Sequence, residues 1–85
     1  MIKVEWTDGA SEDLKRLDKV IARRVLKKIT WFSKNFEQLV HEPLGGEFKE
    51  AYKLRVGDWR VVYTVESKNV VIQFVGHRSE IYKIR

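Results

Sequence analysis

Six side chains in the C-terminal part of the chain are suited to handling a phosphodiester: Lys53, Arg55, Arg60, His77, Arg78 and Tyr82. Metal-free RNA cleavage needs one group that helps the 2′-OH attack the adjacent phosphate. It needs a second that stabilises charge on the phosphoryl oxygens and a third that helps the 5′-oxygen leave. Arginine suits the second task, because it stays charged and presents several donors in a planar fork. Histidine exchanges protons near neutral pH. A lysine serves as base only where neighbouring cations lower its pKa, and Arg55 and Arg60 are those neighbours for Lys53. Tyr82 offers a phenol that stacks on a base or relays a proton. Plainer readings exist for each: a solvated strand lysine or arginine, a strand-end histidine, a ring packed under a sheet edge. Arg60 resists that reading most, since it holds the polar position between Trp59 and Val61 of a central strand.

Three consecutive antiparallel strands must position these groups. Tyr52, Leu54 and Val56 alternate with Lys53 and Arg55; Trp59, Val61, Tyr63 and Val65 alternate with Arg60, Val62 and Thr64. A two-residue period marks a half-buried strand. Gly57-Asp58 between the runs has the length of a tight hairpin, with glycine at the first central position. That loop predicts Val56 opposite Trp59, Leu54 opposite Val61, and Arg55 opposite Arg60 on the other face. Like charges across a ladder cost stability, so a sheet that keeps two arginines there is expected to hold them for an anion. Residues 66–69 form the next turn. Val70, Ile72 and Phe74 are then expected on the apolar face, with Val71, Gln73, Val75 and His77 on the face of Arg55 and Arg60. Arg78, Tyr82 and Lys83 follow.

The preceding chain supplies the cover. Ile2, Val4 and Trp6 alternate as a first strand. Ala10, Leu14 and Leu17 mark a short helix starting near Asp8 or Ser11. Asp18 ends it and caps a longer one carrying Ile21, Val25, Ile29, Phe32, Phe36 and Leu39 at steps of three and four. Arg23, Arg24, Lys27, Lys28 and Lys34 take its other sides. The stripe runs through without a phase break, so one bent helix is the alternative to a helical hairpin. The hairpin is preferred, because a single helix would outrun so small a core. Residues 40–49 read as a loop, with Pro43 and Gly45-Gly46 as breakers and Phe48 as anchor. Residues 79–82 are a helical turn or a short extended tail. Asp8, Asp13 and Asp18 read as surface and cap residues. The expected architecture is a single α+β domain over residues 1–85: a small antiparallel-rich four-stranded sheet with two N-terminal helices packed on one face, in the order β-α-α-β-β-β. Trp59, Tyr63, Ile72 and Phe74 would face Leu17, Ile29, Phe32 and Phe36. The opposite face is left free to work.

Composition narrows the chemistry. The 85 residues carry a net charge of +5 and a pI near 9.6, which favours acidic partners, nucleic acid first. Lys27 and Lys28 on the helix and Arg55 on the sheet are the expected RNA-binding cations. The chain contains no cysteine, so disulfides and thiolate chemistry are out. No phosphate-cradling glycine loop and no metal-ligand spacing occurs, and neither cofactor nor metal is expected. No apolar run is long enough to span a membrane, and the first residues read as a strand rather than a leader. A soluble cytoplasmic protein without a membrane partner is the expectation.

Tyr52-Lys53-Leu54-Arg55-Val56-Gly57-Asp58-Trp59-Arg60-Val61-Val62-Tyr63, followed by Gly76-His77-Arg78-Ser79-Glu80-Ile81-Tyr82, resembles the RelE branch of the RelE/ParE toxin superfamily. The opening strand and two helices match as well, so the resemblance covers essentially the whole chain. It implies a RelE-like fold and a type II toxin–antitoxin system. It implies a metal-independent endoribonuclease that cleaves mRNA in the ribosomal A site by 2′-OH attack and inhibits translation. It implies a cognate antitoxin that blocks the toxin, the complex binding operator DNA through the antitoxin. Arg60 matches the arginine that contacts the scissile phosphate, and Lys53 matches a base or electrostatic helper. Tyr82 matches the tyrosine that stacks on or orients the substrate base, and His77 and Arg78 match the basic segment before it. Two features depart from the pattern: Ala51 stands where a second lysine is expected, and the segment from Gly76 to Tyr82 is shorter. His77 then takes over part of the tail arginine's function, and Glu47 or Glu50 is a further contributor from the loop. The rival classes are a ParE-like inhibitor of DNA gyrase and a catalytically inactive nucleic-acid binder.

Overall fold

The computed structural model describes residues 1–46 and 48–81. Strand β1 (Lys3–Trp6) leads into helices α1 (Asp8–Arg16) and α2 (Lys19–Asn35), then a 3₁₀ turn (Phe36–Gln38). Strands β2 (Glu42–Gly45), β3 (Phe48–Val56), β4 (Trp59–Glu66) and β5 (Asn69–His77) follow. The two helices are separate, as expected. Leu17 takes an extended conformation (φ −75°, ψ 149°) that ends α1, and the Asp18 carboxylate accepts the Val20 amide at 3.0 Å to start α2.

The sheet order is β1-β5-β4-β3-β2. β1 lies parallel to β5 and all other pairs are antiparallel. The fold is thus the expected α+β arrangement with one strand more than the four anticipated. The extra strand is β2, in the stretch expected to be a loop. It pairs Glu42 with Lys53 and Pro43 with Tyr52, then shifts register before Gly45 meets Phe48. Pro43 is tolerated because β2 is an edge strand, where a missing N–H costs no ladder bond. Glu50, at φ 64° within β3, occupies the left-handed region beside that shift.

A second irregularity reorganises β5. The β4–β5 pairing runs Val62↔Phe74 and then Tyr63↔Ile72, so Gln73 is an extra residue. One inserted residue reverses the alternation beyond it. Val75 consequently joins the helix-side core with Val61, Tyr63, Val70 and Ile72, and Phe74 turns to the other face. Both assignments reverse the expectation from simple alternation. Side chains at α1 hold the bulge. The Thr7 hydroxyl accepts from the Ala10 amide (3.0 Å) and donates to the Gln73 carbonyl (3.1 Å). The Val75 amide donates to Asp13 Oδ2 at 3.0 Å. Asp13 is therefore a fastener between α1 and the sheet, not a surface residue.

The helix-side core joins Val25, Ile29 and Phe32 of α2 to the sheet, with Leu17, Phe36 and Trp59 at its margin. Each fully buried aliphatic side chain there stabilises the fold by about 1.5–3 kcal/mol. His41 closes one end. Its Nε2 donates to the Phe36 carbonyl (2.9 Å) and its Nδ1 accepts from the Tyr63 hydroxyl (2.6 Å). Burial, with Tyr52 beside it, pushes the Tyr63 phenol above its ordinary pKa. The opposite face is not left bare. Phe74, Val62, Leu44 and Ile81 form a second buried cluster there, with Phe48 and Ala51 against it. Among the described residues no helix is long and apolar enough to cross a membrane.

Candidate functional site

The β3–β4 hairpin has the predicted register: Leu54↔Val61, Arg55↔Arg60 and Val56↔Trp59. Gly57, at φ 60°, supplies the left-handed residue that the two-residue turn requires. By register Lys53, Arg55 and Arg60 alternate away from the core positions Leu54, Val56 and Val61, and the Lys53 and Arg55 side chains border α2. The two facing arginines do not share one counter-charge. Arg55 makes a bidentate pair with Glu42 of β2, Nε to Oε1 at 2.9 Å and Nη2 to Oε2 at 2.7 Å. Lys53 Nζ lies 3.5 Å from the same Oε2, its side chain only 17% exposed. Hydrogen bonds from Arg55 above all, with the Arg55 and Lys53 charges, hold the Glu42 carboxyl down at about 2.

Arg60 is half-buried and braces the hairpin turn. Its Nη1 donates to the carbonyls of Gly57 (2.8 Å) and Trp59 (2.9 Å). Its Nε and Nη2 make no hydrogen bond among the described residues, which leaves donors for a phosphoryl oxygen. Arg78 reaches the same turn. Its amide donates to the Asp58 carbonyl (2.7 Å) and its Nε lies 3.4 Å from Asp58 Oδ1. A third arginine arrives from α2: Arg24 Nη2 lies 2.7 Å from where a Cβ on Gly57 would stand. Gly57 is needed for its backbone conformation, whereas the guanidinium of Arg24 is the far end of a flexible side chain that can yield to an added Cβ.

His77 does not join this group. The bulge pairs it with Trp59, and its ring meets the Trp59 indole edge-to-face at 5.3 Å on the helix side. Its Nδ1 accepts from the Ser79 amide (3.2 Å) and lies 2.8 Å from Ser79 Oγ, capping the turn after β5. A separate cleft of about 430 Å³ surrounds it, lined by Asp13, Arg16, Trp59 and Glu80. The expectation that His77 shares the face of Arg55 and Arg60 is overturned, and the cause is the one extra residue at Gln73. Tyr82 and Glu47 lie outside the described residues. Glu50 is exposed at the β3 irregularity.

Two hollows meet at Trp31 on α2. One, of about 230 Å³, is lined by His41, Glu42, Lys53 and Tyr63 together with Lys28, Trp31 and Arg55. The other, an open groove of about 480 Å³, is lined again by Lys28, Trp31 and Arg55, with Arg24, Lys27, Val56 and Gly57. Lys27 and Lys28 are thus joined to Arg55 in one basic groove. Lys28 Nζ sits 4.2 Å above the Trp31 ring.

The sequence matches the family described as "ParE toxin of type II toxin-antitoxin system, parDE" over residues 4–82. The chain belongs to that toxin family, within the RelE/ParE superfamily. Solved structures agree. The RelBE2 toxin–antitoxin complex of Mycobacterium tuberculosis is 29% identical, with 91% of this chain and 98% of that one covered, at a TM-score of 0.78. The isolated Escherichia coli RelE toxin is 21% identical over 99% of this chain and 94% of that one, at 0.74. The E. coli DinJ-YafQ toxin–antitoxin complex is 20% identical over 95% and 97%, at 0.75. The last two share the fold. No curated protein matches the chain by sequence.

Against this RelE/ParE frame, three residues escaped the reading of the sequence. Glu42 was hidden because the run His41-Glu42-Pro43 reads as loop, yet its carboxylate contacts both Lys53 and Arg55. Trp31 stands one residue off the apolar stripe of α2, and a large ring off the stripe was the available signal. Arg24 looked like one solvated helix cation among several. Only the tertiary approach of α2 to Gly57 distinguishes it.

Proposed function

We propose that the protein is a ribosome-dependent mRNA endoribonuclease, the toxin of a type II pair, which cuts mRNA in the A site and so stops translation in the cytoplasm. The carrying observation is Arg60 on the central strand beside the turn, across the ladder from Arg55, with donors uncommitted among the described residues. In this reading the substrate's own 2′-oxygen attacks phosphorus, losing its proton, and the P–O5′ bond breaks, the departing 5′-oxygen taking a proton from water, leaving a 2′,3′-cyclic phosphate and a 5′-hydroxyl. Arg60 stabilises the charge that develops on the phosphoryl oxygens. Lys53 and Arg55 hold the phosphate, and Arg78 adds charge at the turn. When a phosphate engages Arg55, Glu42 loses its strongest hydrogen bonds. Its pKa then rises toward the ordinary carboxylate value, and it becomes the available acceptor for the 2′-OH proton. Tyr82 carries the base-stacking role that the resemblance implies. His77, on the other side of the sheet, acts by positioning the turn that leads to it.

A cognate antitoxin is the expected neutralising partner, consistent with the complexes known for RelBE2 and DinJ-YafQ. The toxin–antitoxin complex is expected to meet operator DNA through the antitoxin. The test is toe-printing of mRNA on translating ribosomes, with and without co-expressed antitoxin. Arg60→Ala should lower the cleavage rate by about 10²–10³ while changing ribosome affinity little, because the side chain acts on transition-state charge. Equal losses confined to binding would refute a catalytic role. The second reading, a gyrase inhibitor, is favoured by one observation, the match to the family described as ParE toxin. Loss of gyrase supercoiling without any mRNA breaks would select it.

A further inference from the structure

The groove between α2 and the β3–β4 turn holds the expected RNA-binding cations Lys27, Lys28 and Arg55 together with Arg24 and Trp31, to which no role has been given. Among the described residues that line it, Arg24, Lys27, Lys28 and Arg55 carry positive charge and none carries a carboxylate. Arg55 brings its own counter-ion, Glu42, from the adjoining hollow. In the middle stands Trp31, 44% exposed. A buried tryptophan needs no explanation, but an exposed one amid four cations has a specific use. Such a ring can stack on an unpaired base while cations beside it hold flanking phosphates. An acidic peptide would satisfy the charges and leave the indole face unused. A duplex keeps its bases stacked and could not use it either. The groove is also continuous with the hollow of Lys53 and Glu42, since Lys28, Trp31 and Arg55 line both.

We propose that this groove is a single-stranded RNA subsite, in which Trp31 stacks on one base and Arg24, Lys27 and Lys28 hold the adjacent phosphates. Lys28 covers one face of the ring, and the base takes the other. The subsite lies beside the Lys53–Arg55 cluster, so it holds the message next to the cut. The proposal rests on the RNA-cleaving reading for the identity of the polymer.

The probe is a fluorescein-labelled 2′-O-methyl octaribonucleotide, which cannot be cut by 2′-OH attack. Binding to the full-length chain is read by anisotropy and by tryptophan fluorescence. Trp31→Ala should weaken binding roughly ten-fold or more, the contribution of one stacked base. Trp31→Phe should retain most of the affinity and remove the quenching that the oligonucleotide causes in the wild type. Lys27→Ala should lower the slope of log K against log salt by about 0.7. A duplex of the same sequence should bind with no dependence on residue 31. The proposal is overturned if Trp31→Ala binds as tightly as wild type, if quenching persists in Trp31→Phe, or if octaglutamate displaces the probe as well as unlabelled oligonucleotide does. The ribosome assay keeps the two readings apart. Message breaks with no Trp31-dependent binding would sink the subsite alone. Trp31-dependent binding with no breaks by wild type would sink the cleavage alone.

Discussion

Replacing Glu42 by glutamine tests how the basic cluster is kept in hand. The carboxylate is held by Arg55 at 2.7 and 2.9 Å and lies 3.5 Å from Lys53. A carboxyl held at about 2 would, taken at face value, suggest a large stabilising effect. Water argues otherwise: the Glu42 and Arg55 side chains are 41% and 58% exposed, and exposed pairs contribute about 0.2–1 kcal/mol. Glu42→Gln should therefore cost less than about 1 kcal/mol in stability. The sign of its pH dependence follows from the depressed pKa. The pair contributes fully above the ordinary value of 4.5 and is lost as pH falls toward about 2. The stability difference between wild type and Glu42→Gln should shrink across that window, and a difference that stays constant down to pH 2 would contradict the ion-pair account.

Function should respond more strongly, and in two directions. A phosphate approaching Arg55 must displace or lie beside the carboxylate. Two like charges about 4 Å apart repel by about 4 kcal/mol at an effective dielectric of 20. Exposure reduces this to about 1 kcal/mol, roughly five-fold in Kd. Glu42→Gln should thus bind the oligonucleotide roughly five-fold more tightly. If Glu42 also accepts the 2′-OH proton, single-turnover cleavage on ribosomes should fall by about 10²–10⁴. Tighter binding with slower cutting is the signature of a group that is both clamp and base. Tighter binding with unchanged cutting would make it a clamp only, and unchanged binding would refute the competition itself.

Other substitutions test the scaffold. Asp13→Ala leaves the Val75 amide without its acceptor and should cost about 1–2 kcal/mol. Each kcal/mol lowers the melting temperature by roughly 4–8 °C for a domain of this size. Asp13→Asn, which keeps a carbonyl acceptor, should recover most of the loss in the same thermal scan. Gly57→Ala puts a Cβ at φ 60° and 2.7 Å from Arg24 Nη2. It should lose about 1–2 kcal/mol through backbone strain, since the long Arg24 side chain can move aside. Adding Arg24→Ala should then restore little stability, and a full rescue would show that the contact, not the backbone, sets the cost.

The hairpin was legible because two constraints agree there. Strict alternation sets the faces, and a two-residue loop with glycine leaves one register, so Arg55 opposite Arg60 follows from the letters alone. The helix break was legible for the same kind of reason, a capping aspartate at the point where one apolar stripe outruns a small core. β5 was not legible, because alternation counts residues and a bulge adds one. The residues that secure the bulge, Thr7 and Asp13, sit more than sixty positions away, where local pattern carries no trace of them. β2 was misread because an edge strand may contain proline and glycine, the letters that elsewhere signal a loop.

That single insertion has a functional consequence. Without the extra residue at Gln73, His77 would fall on the face of Arg60 and the site would own a proton-exchanging ring. With it, His77 meets Trp59 on the helix side, while among the described residues the carboxylate of Glu42 is in contact with both Lys53 and Arg55. The bulge also turns Phe74 outward to join Leu44, Val62 and Ile81. This buried cluster anchors the chain immediately before residue 82, on the side of the sheet that carries Arg60. One inserted residue thus withdraws a histidine from the face of Arg60 and, by the same reversal of faces, builds the seat on which Ile81 packs.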